Sequence, residues 1–129
     1  MRDVVFGLVL AAATCSGLLL LPAAMARDAT AILLTLIAAI YVGFSLASNG
    51  RLALTRQVAG CLFFVALALL GLWLNWWFLA AGLALHGVWD FLHHGQRSRG
   101  IVPSWYGPFC AVYDAAVALF VALYYAAAA

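Results

Sequence analysis

Apolar positions run along this chain in long unbroken blocks rather than in amphipathic stripes. Five blocks approach or exceed the roughly 20 residues that a helix needs to cross the hydrocarbon of a bilayer: Val4–Ala26, Thr30–Ser48, Leu54–Leu74, Trp77–His94 and Trp105–Ala127. Polar residues gather at the breaks. Arg27-Asp28 separates the first two blocks, and Asn49-Gly50-Arg51 closes the second, with Gly50 suited to a helix C-terminus. Gly95, Gly100, Pro103, Gly107 and Pro108 punctuate the chain between the fourth and fifth. Pro108 suits the first turn of a helix, where its missing N–H costs nothing, so the fifth helix is expected to start near it. The apolar run from Leu54 to His94 would be about 60 Å long as one helix, twice the hydrocarbon thickness, so two helices turning at Asn75 are expected instead. The pattern predicts an all-α transmembrane bundle of five hydrophobic helices, residues 1–129 forming a single integral membrane domain.

Composition agrees with that pattern. The 129 residues are 69% hydrophobic and 8% charged, whereas soluble domains run at about 45–50% and 25%. A small soluble fold leaves too much of its area exposed to hide this much apolar surface. Trp73, Trp76 and Trp77 ring the turn at Asn75, and Tyr124 and Tyr125 are expected at the same level of the membrane interface. All six cations are arginines. Five spans place Arg2, Arg51, Arg56, Arg97 and Arg99 on one side and only Arg27 on the other. By the positive-inside bias the N-terminus is cytoplasmic and the C-terminus outside. Ala24-Met25-Ala26 resembles a signal-peptidase site after an apolar stretch, although that stretch is long and its n-region short. Cleavage there would leave four spans with the same orientation.

The net charge of +2, without a basic run interleaved with aromatics, gives no basis for nucleic-acid binding. The three cysteines, Cys15, Cys61 and Cys110, lie far apart in apolar stretches and form neither a disulfide framework nor a zinc module.

Ionisable groups inside a membrane are the informative ones, because an Asp near a helix centre costs about 2.5–3.5 kcal/mol on insertion scales. Asp3 and Asp28 sit at helix ends, whereas Asp90 and Asp114 do not. At about 100° per residue, His86, Asp90 and His93 share one face of the fourth helix within roughly 60°, and His94 lies near it. Gly82 continues that face and would admit a close neighbour. Spans four and five are antiparallel neighbours, so Asp114 is expected at the depth of His86 and Asp90. Tyr106, Cys110 and Asp114 form the facing stripe by the i, i+4 rule.

Three functions fit such a cluster. Imidazole and carboxylate at helical spacing suit Zn, Fe or Mn, with His86, Asp90, His93 or His94, and Asp114 as ligands. The spacing differs from the H-E-x-x-H zinc signature, and three histidines are too few for the boxes of membrane desaturases and hydroxylases. Alternatively the groups are polar glue between helices, with Trp89 and Tyr113 adding hydrogen bonds. A proton or ion relay is the third reading, but span four is apolar from His86 to its outer end. Cys110 reads first as a structural thiol and Tyr106 and Tyr113 as packing or interfacial residues. Arg97 and Arg99 set topology and would also attract an anionic headgroup.

The segment His86-Gly-Val-Trp89-Asp90-Phe-Leu-His93-His94, followed by Ile101-Val-Pro103 and Cys110-Ala-Val-Tyr113-Asp114, resembles a family of small, multi-spanning bacterial membrane proteins of unknown function. The likeness covers roughly residues 80–120, and Trp105-Tyr106 departs from it where small polar residues are common. It implies a bacterial inner-membrane setting and points to His86, Trp89, Asp90, His93, His94 and Asp114. It implies no reaction. The expectations are therefore a metal-dependent membrane enzyme acting on a lipid or apolar substrate, or a non-enzymatic membrane subunit. Either would sit in the bilayer and self-associate or bind a partner subunit.

Overall fold

The computed structural model describes residues 1–49, 52–95 and 100–128. Gly50, Arg51, Arg97 and Arg99, which carried expectations about helix ending and topology, lie outside the described residues. The fold is all-α, with α1 (Arg2–Leu19), α2 (Ala23–Ala47), α3 (Leu54–Trp73), α4 (Trp77–His93) and α5 (Tyr106–Ala128). Four of these, α1, α2, α3 and α5, are long and apolar enough to cross a membrane. With 17 residues α4 is the shortest, about 25 Å at 1.5 Å per residue.

Two boundaries differ from the apolar blocks. The first helix ends at Leu19, and α2 begins straight after Pro22, so Arg27-Asp28 lies inside α2 rather than between helices. Pro22 lacks an N–H and disfavours helical backbone at Leu21, which breaks the chain there. Its own carbonyl then accepts the Ala26 N–H at 2.9 Å and opens the next helix. The fifth helix starts at Tyr106, ahead of Pro108. Pro108 still falls in the first turn, where backbone N–H groups have no intrahelical partner.

Large apolar side chains such as Phe6, Val9, Ile32, Leu36, Leu62, Phe91, Leu119 and Leu123 face outward, while Thr30, Ser45, Gln57, His86, Asp90 and Asp114 are buried. A chain surrounded by hydrocarbon gains nothing by hiding apolar groups and must instead satisfy its polar ones internally. Thr30 does so by donating to the Ala26 carbonyl at 2.7 Å.

In the bundle α5 packs against both α1 and α4, α2 pairs with α3, and α3 and α2 both reach α4. Small residues set the closest approaches. A Cβ on Gly7 of α1 would lie 2.6 Å from the Phe109 carbonyl oxygen of α5, and one on Gly82 of α4 would lie 2.5 Å from Leu34 Cδ2 of α2. At the α3–α4 turn Trp76 stacks on Tyr125 from the end of α5 with ring centroids 4.9 Å apart, which brings the turn tryptophans and the terminal tyrosines to one level.

Candidate metal centre

Apolar α4 carries His86 and Asp90 one turn apart on its inward face, and α5 carries Asp114 opposite them. All three residues are 0% exposed. The close fit at Gly87 makes this possible: a Cβ there would meet the Ala111 carbonyl oxygen at 3.2 Å and Asp114 Cβ at 3.5 Å. The two helices therefore touch backbone to backbone beside the site.

His86 Nδ1 lies 2.7 Å from Asp114 Oδ2 and 3.2 Å from Asp90 Oδ2. Without an ion, Nδ1–H donates to Asp114 and Nε2 keeps its lone pair on the far side of the ring; an ion shared by all three residues would take the place of the proton on Nδ1, the nitrogen that faces both carboxylates. That Nε2 has no hydrogen-bond partner, and neither has Asp114 Oδ1 nor either oxygen of Asp90. His86, Asp90 and Asp114 each offer a ligand atom, and these atoms lie within 4.8 Å of one another. Donors on a metal with bonds of about 2.0–2.2 Å stand roughly 3–4 Å apart, so small rotations would bring the three onto one ion. The buried His86, Asp90 and Asp114 group could hold a metal.

His93 and His94, also expected as ligands, are not brought into this group. His93 Nδ1–H donates to the Trp89 carbonyl at 2.9 Å, and its Nε2 accepts from the Gln57 amide at 3.2 Å. Both ring nitrogens are thus used. His94 ends α4, is exposed, and packs against Gly107. Trp89 packs against His93 with the rings tilted by 34° and their centroids 4.7 Å apart, and covers Gly60 of α3. It supports His93 rather than the carboxylates. Tyr113 turns away from the triad to share a hydrogen bond with Thr14 of α1 at 3.0 Å. Cys110 is a buried free thiol packed in one apolar cluster with Tyr106.

Two residues that the sequence pattern did not single out matter here: one packs on the site and the other holds His93. Tyr41 of α2 packs on His93, Tyr106 and His86, with centroids at 4.6, 5.8 and 6.3 Å, and its hydroxyl has no hydrogen-bond partner. Gln57 of α3 is 1% exposed and its Oε1 has no partner. The cost of placing an amide in an apolar span is the signal that would have found Gln57. Tyr41 gives no comparable signal, since a lone tyrosine near a span's end reads as interfacial. A second apolar cluster of Tyr41, Leu52, Val102, Tyr106 and Cys110 closes the site off from the loop end of the bundle.

No curated protein and no solved structure matches the chain. The match to an uncharacterised family is not confined to residues 80–120; it runs over residues 2–129, taking in α1 to α3 as well, and the chain belongs to DUF6010, a family of unknown function.

Proposed function

We propose that this is a multi-pass protein of a bacterial inner membrane in which His86, Asp90 and Asp114 hold one divalent transition metal, Zn, Fe or Mn, for chemistry on a lipid or other apolar substrate. The observation that carries the reading is the fully buried set itself: His86 Nδ1 lies 2.7 and 3.2 Å from the two carboxylates, and Asp114 Oδ1 and both Asp90 oxygens have no hydrogen-bond partner. Interhelical polar contacts in lipid are worth only about 0.6–2 kcal/mol each. That does not offset two carboxylates at about 2.5–3.5 kcal/mol apiece on insertion scales. A divalent cation balances two ionised carboxylates, and one nitrogen with two oxygens is a donor set for Zn, Fe or Mn. Three protein ligands leave coordination positions open for water or substrate, the arrangement of catalytic rather than structural sites. The relay reading is weaker, because α4 offers only apolar residues and Gly82 between His86 and its far end.

The test is elemental analysis of protein purified in mild detergent. The expected result is about one Zn, Fe or Mn per chain, lost in a His86→Ala, Asp90→Ala double variant that still folds. Wild-type protein that takes up none of these metals, with a double variant that is merely less stable, leaves the polar-glue subunit as the answer.

A further inference from the structure

We infer that the cleft between the beginnings of α1 and α5 binds a phospholipid with a phosphoethanolamine headgroup, its phosphate on Arg2 and its ammonium on Asp3 and the Trp105 ring. The inference is independent of the metal reading. Arg2, Asp3 and Phe6 of α1, Trp105 just before α5, and Phe109 within it line a cleft of about 630 Å³. Gly7 marks its floor. A Cβ there would lie 2.6 Å from the Phe109 carbonyl oxygen, so the two helices nearly touch at that level. The cleft opens on the side of this contact where both helices start, and α1 and α5 therefore run in the same direction. It lies at an end of the bundle, and Trp105 is exposed there, as suits a tryptophan at the headgroup level.

Charge narrows the ligand. Adjacent residues of a helix point about 100° apart, so Arg2 and Asp3 do not face each other. Among the described residues neither forms an ion pair, and no side chain caps α1. Two unpaired charges of opposite sign thus line one cleft. A purely anionic headgroup would pair with Arg2 and oppose Asp3, whereas a phosphate and an ammonium joined by a short linker engage both. The positive ends of two parallel helices lie together here and favour the phosphate. The ammonium is better primary than quaternary. Both are attracted to the face of Trp105, but only a primary ammonium has N–H groups to donate to the Asp3 carboxylate. Phe6 is exposed, and Phe109 packs on Trp105 with ring centroids 5.9 Å apart. These rings give the acyl chains an apolar wall as they leave the headgroup.

The experiment is native mass spectrometry of the full chain, delipidated in detergent and titrated with phosphatidylethanolamine, phosphatidylcholine and phosphatidylglycerol bearing the same acyl chains. The expected result is about one phosphatidylethanolamine per chain, half-bound at about tenfold less lipid than the other two. Arg2→Gln should weaken its binding by about tenfold. Asp3→Asn should move the preference to phosphatidylglycerol, since the group that opposes an anion is gone. Trp105→Leu leaves both charges in place and should weaken the ethanolamine and choline lipids together. Soluble phosphoethanolamine at the same concentration should displace neither, because it lacks the chains that lie on Phe6 and Phe109. Equal binding of the three lipids, or a wild-type preference for phosphatidylglycerol, overturns the inference. So does ethanolamine-lipid binding that is unchanged in all three variants, which would put the lipid elsewhere on the bundle. Displacement by soluble phosphoethanolamine would make the ligand a soluble one and overturn the lipid. If Arg2→Gln does not yield folded protein, the opposite shifts expected of Asp3→Asn and Trp105→Leu decide the matter.

Discussion

Gly87 of α4 and Asp114 of α5 touch: a Cβ on the glycine would come within 3.5 Å of the aspartate's Cβ and 3.2 Å of the Ala111 carbonyl oxygen. This contact fixes how near α5 can bring its carboxylate to His86. A Gly87→Ala change asks the neighbours to give by a few tenths of an ångström, so the site should survive with its metal. A Gly87→Leu change cannot be absorbed that way and should cost about 1–3 kcal/mol by overpacking. It pushes α5 off α4 and separates Asp114 from His86. The expected outcome is near-native metal content in the alanine variant and background metal in the leucine variant, with both helical by circular dichroism. Retention of metal in the leucine variant would mean that Asp114 is not a ligand.

Replacing Asp114 by Asn keeps its shape and removes one of two negative charges beside a single imidazole, whose Nδ1 lies 2.7 Å from one carboxylate and 3.2 Å from the other. In metal-free protein that relieves a like-charge pair and leaves His86 with Asp90 alone. Metal-free Asp114→Asn should therefore unfold no earlier than metal-free wild type, while its metal affinity falls by at least about tenfold, one ionic ligand being lost. Thermal unfolding in a chelator and competitive metal titration read the two effects separately. If Asp114 serves as polar glue, the metal-free variant instead loses stability on the scale of about 0.6–2 kcal/mol.

Much of this was legible in the chain. The five helices follow from apolar blocks too long and too pure for water, and the partnership of His86, Asp90 and Asp114 follows from helical period and antiparallel register. What was misjudged has local causes. Arg27-Asp28 looked like a loop because charges usually mark one, but Pro22 outweighs them, since it removes a donor that a continuous helix needs. His93 lies roughly 60° from Asp90 on the helical wheel, and the period cannot tell which neighbouring helix stands on that side. The structure places α3 there, and Gln57 claims the ring. Tyr41 was invisible as a site residue because its role depends on α2 reaching across to α4 and α5, a contact no local pattern encodes.

His93 gives a clean contrast with the triad. Its Nδ1 is committed to the Trp89 carbonyl and its Nε2 to Gln57, so neither nitrogen is left for an ion. Gln57→Leu should cost about 0.5–1.5 kcal/mol of stability, the net worth of one hydrogen bond, and leave metal content unchanged. His93→Ala should behave alike, with a larger stability loss from the ring packed on Tyr41 at 4.6 Å. His94→Ala, at an exposed position, should change neither quantity. Metal lost in either histidine variant, measured alongside the His86 variant, would restore the wider ligand set expected from the sequence.

The docking of α1 bears on whether residues 1–26 are removed. Thr14 of α1 shares a hydrogen bond with Tyr113 of α5 at 3.0 Å, and Gly7 sits against the Phe109 carbonyl. Ala26, at the end of the Ala24-Met25-Ala26 stretch, lies within α2 and is 2% exposed. The Thr14 and Gly7 contacts give α1 a place in the bundle that removal of residues 1–26 would leave unfilled. The chain isolated from membranes should therefore keep α1, seen as an intact mass that includes residues 1–26. Thr14→Val should lower stability by about 0.6 kcal/mol, the mean for such contacts in lipid. Gly7→Leu should do far more, because its side chain would overlap the α5 backbone. If the isolated protein begins at Arg27 and retains its metal, then α1 is dispensable and Tyr113 faces lipid in the mature molecule.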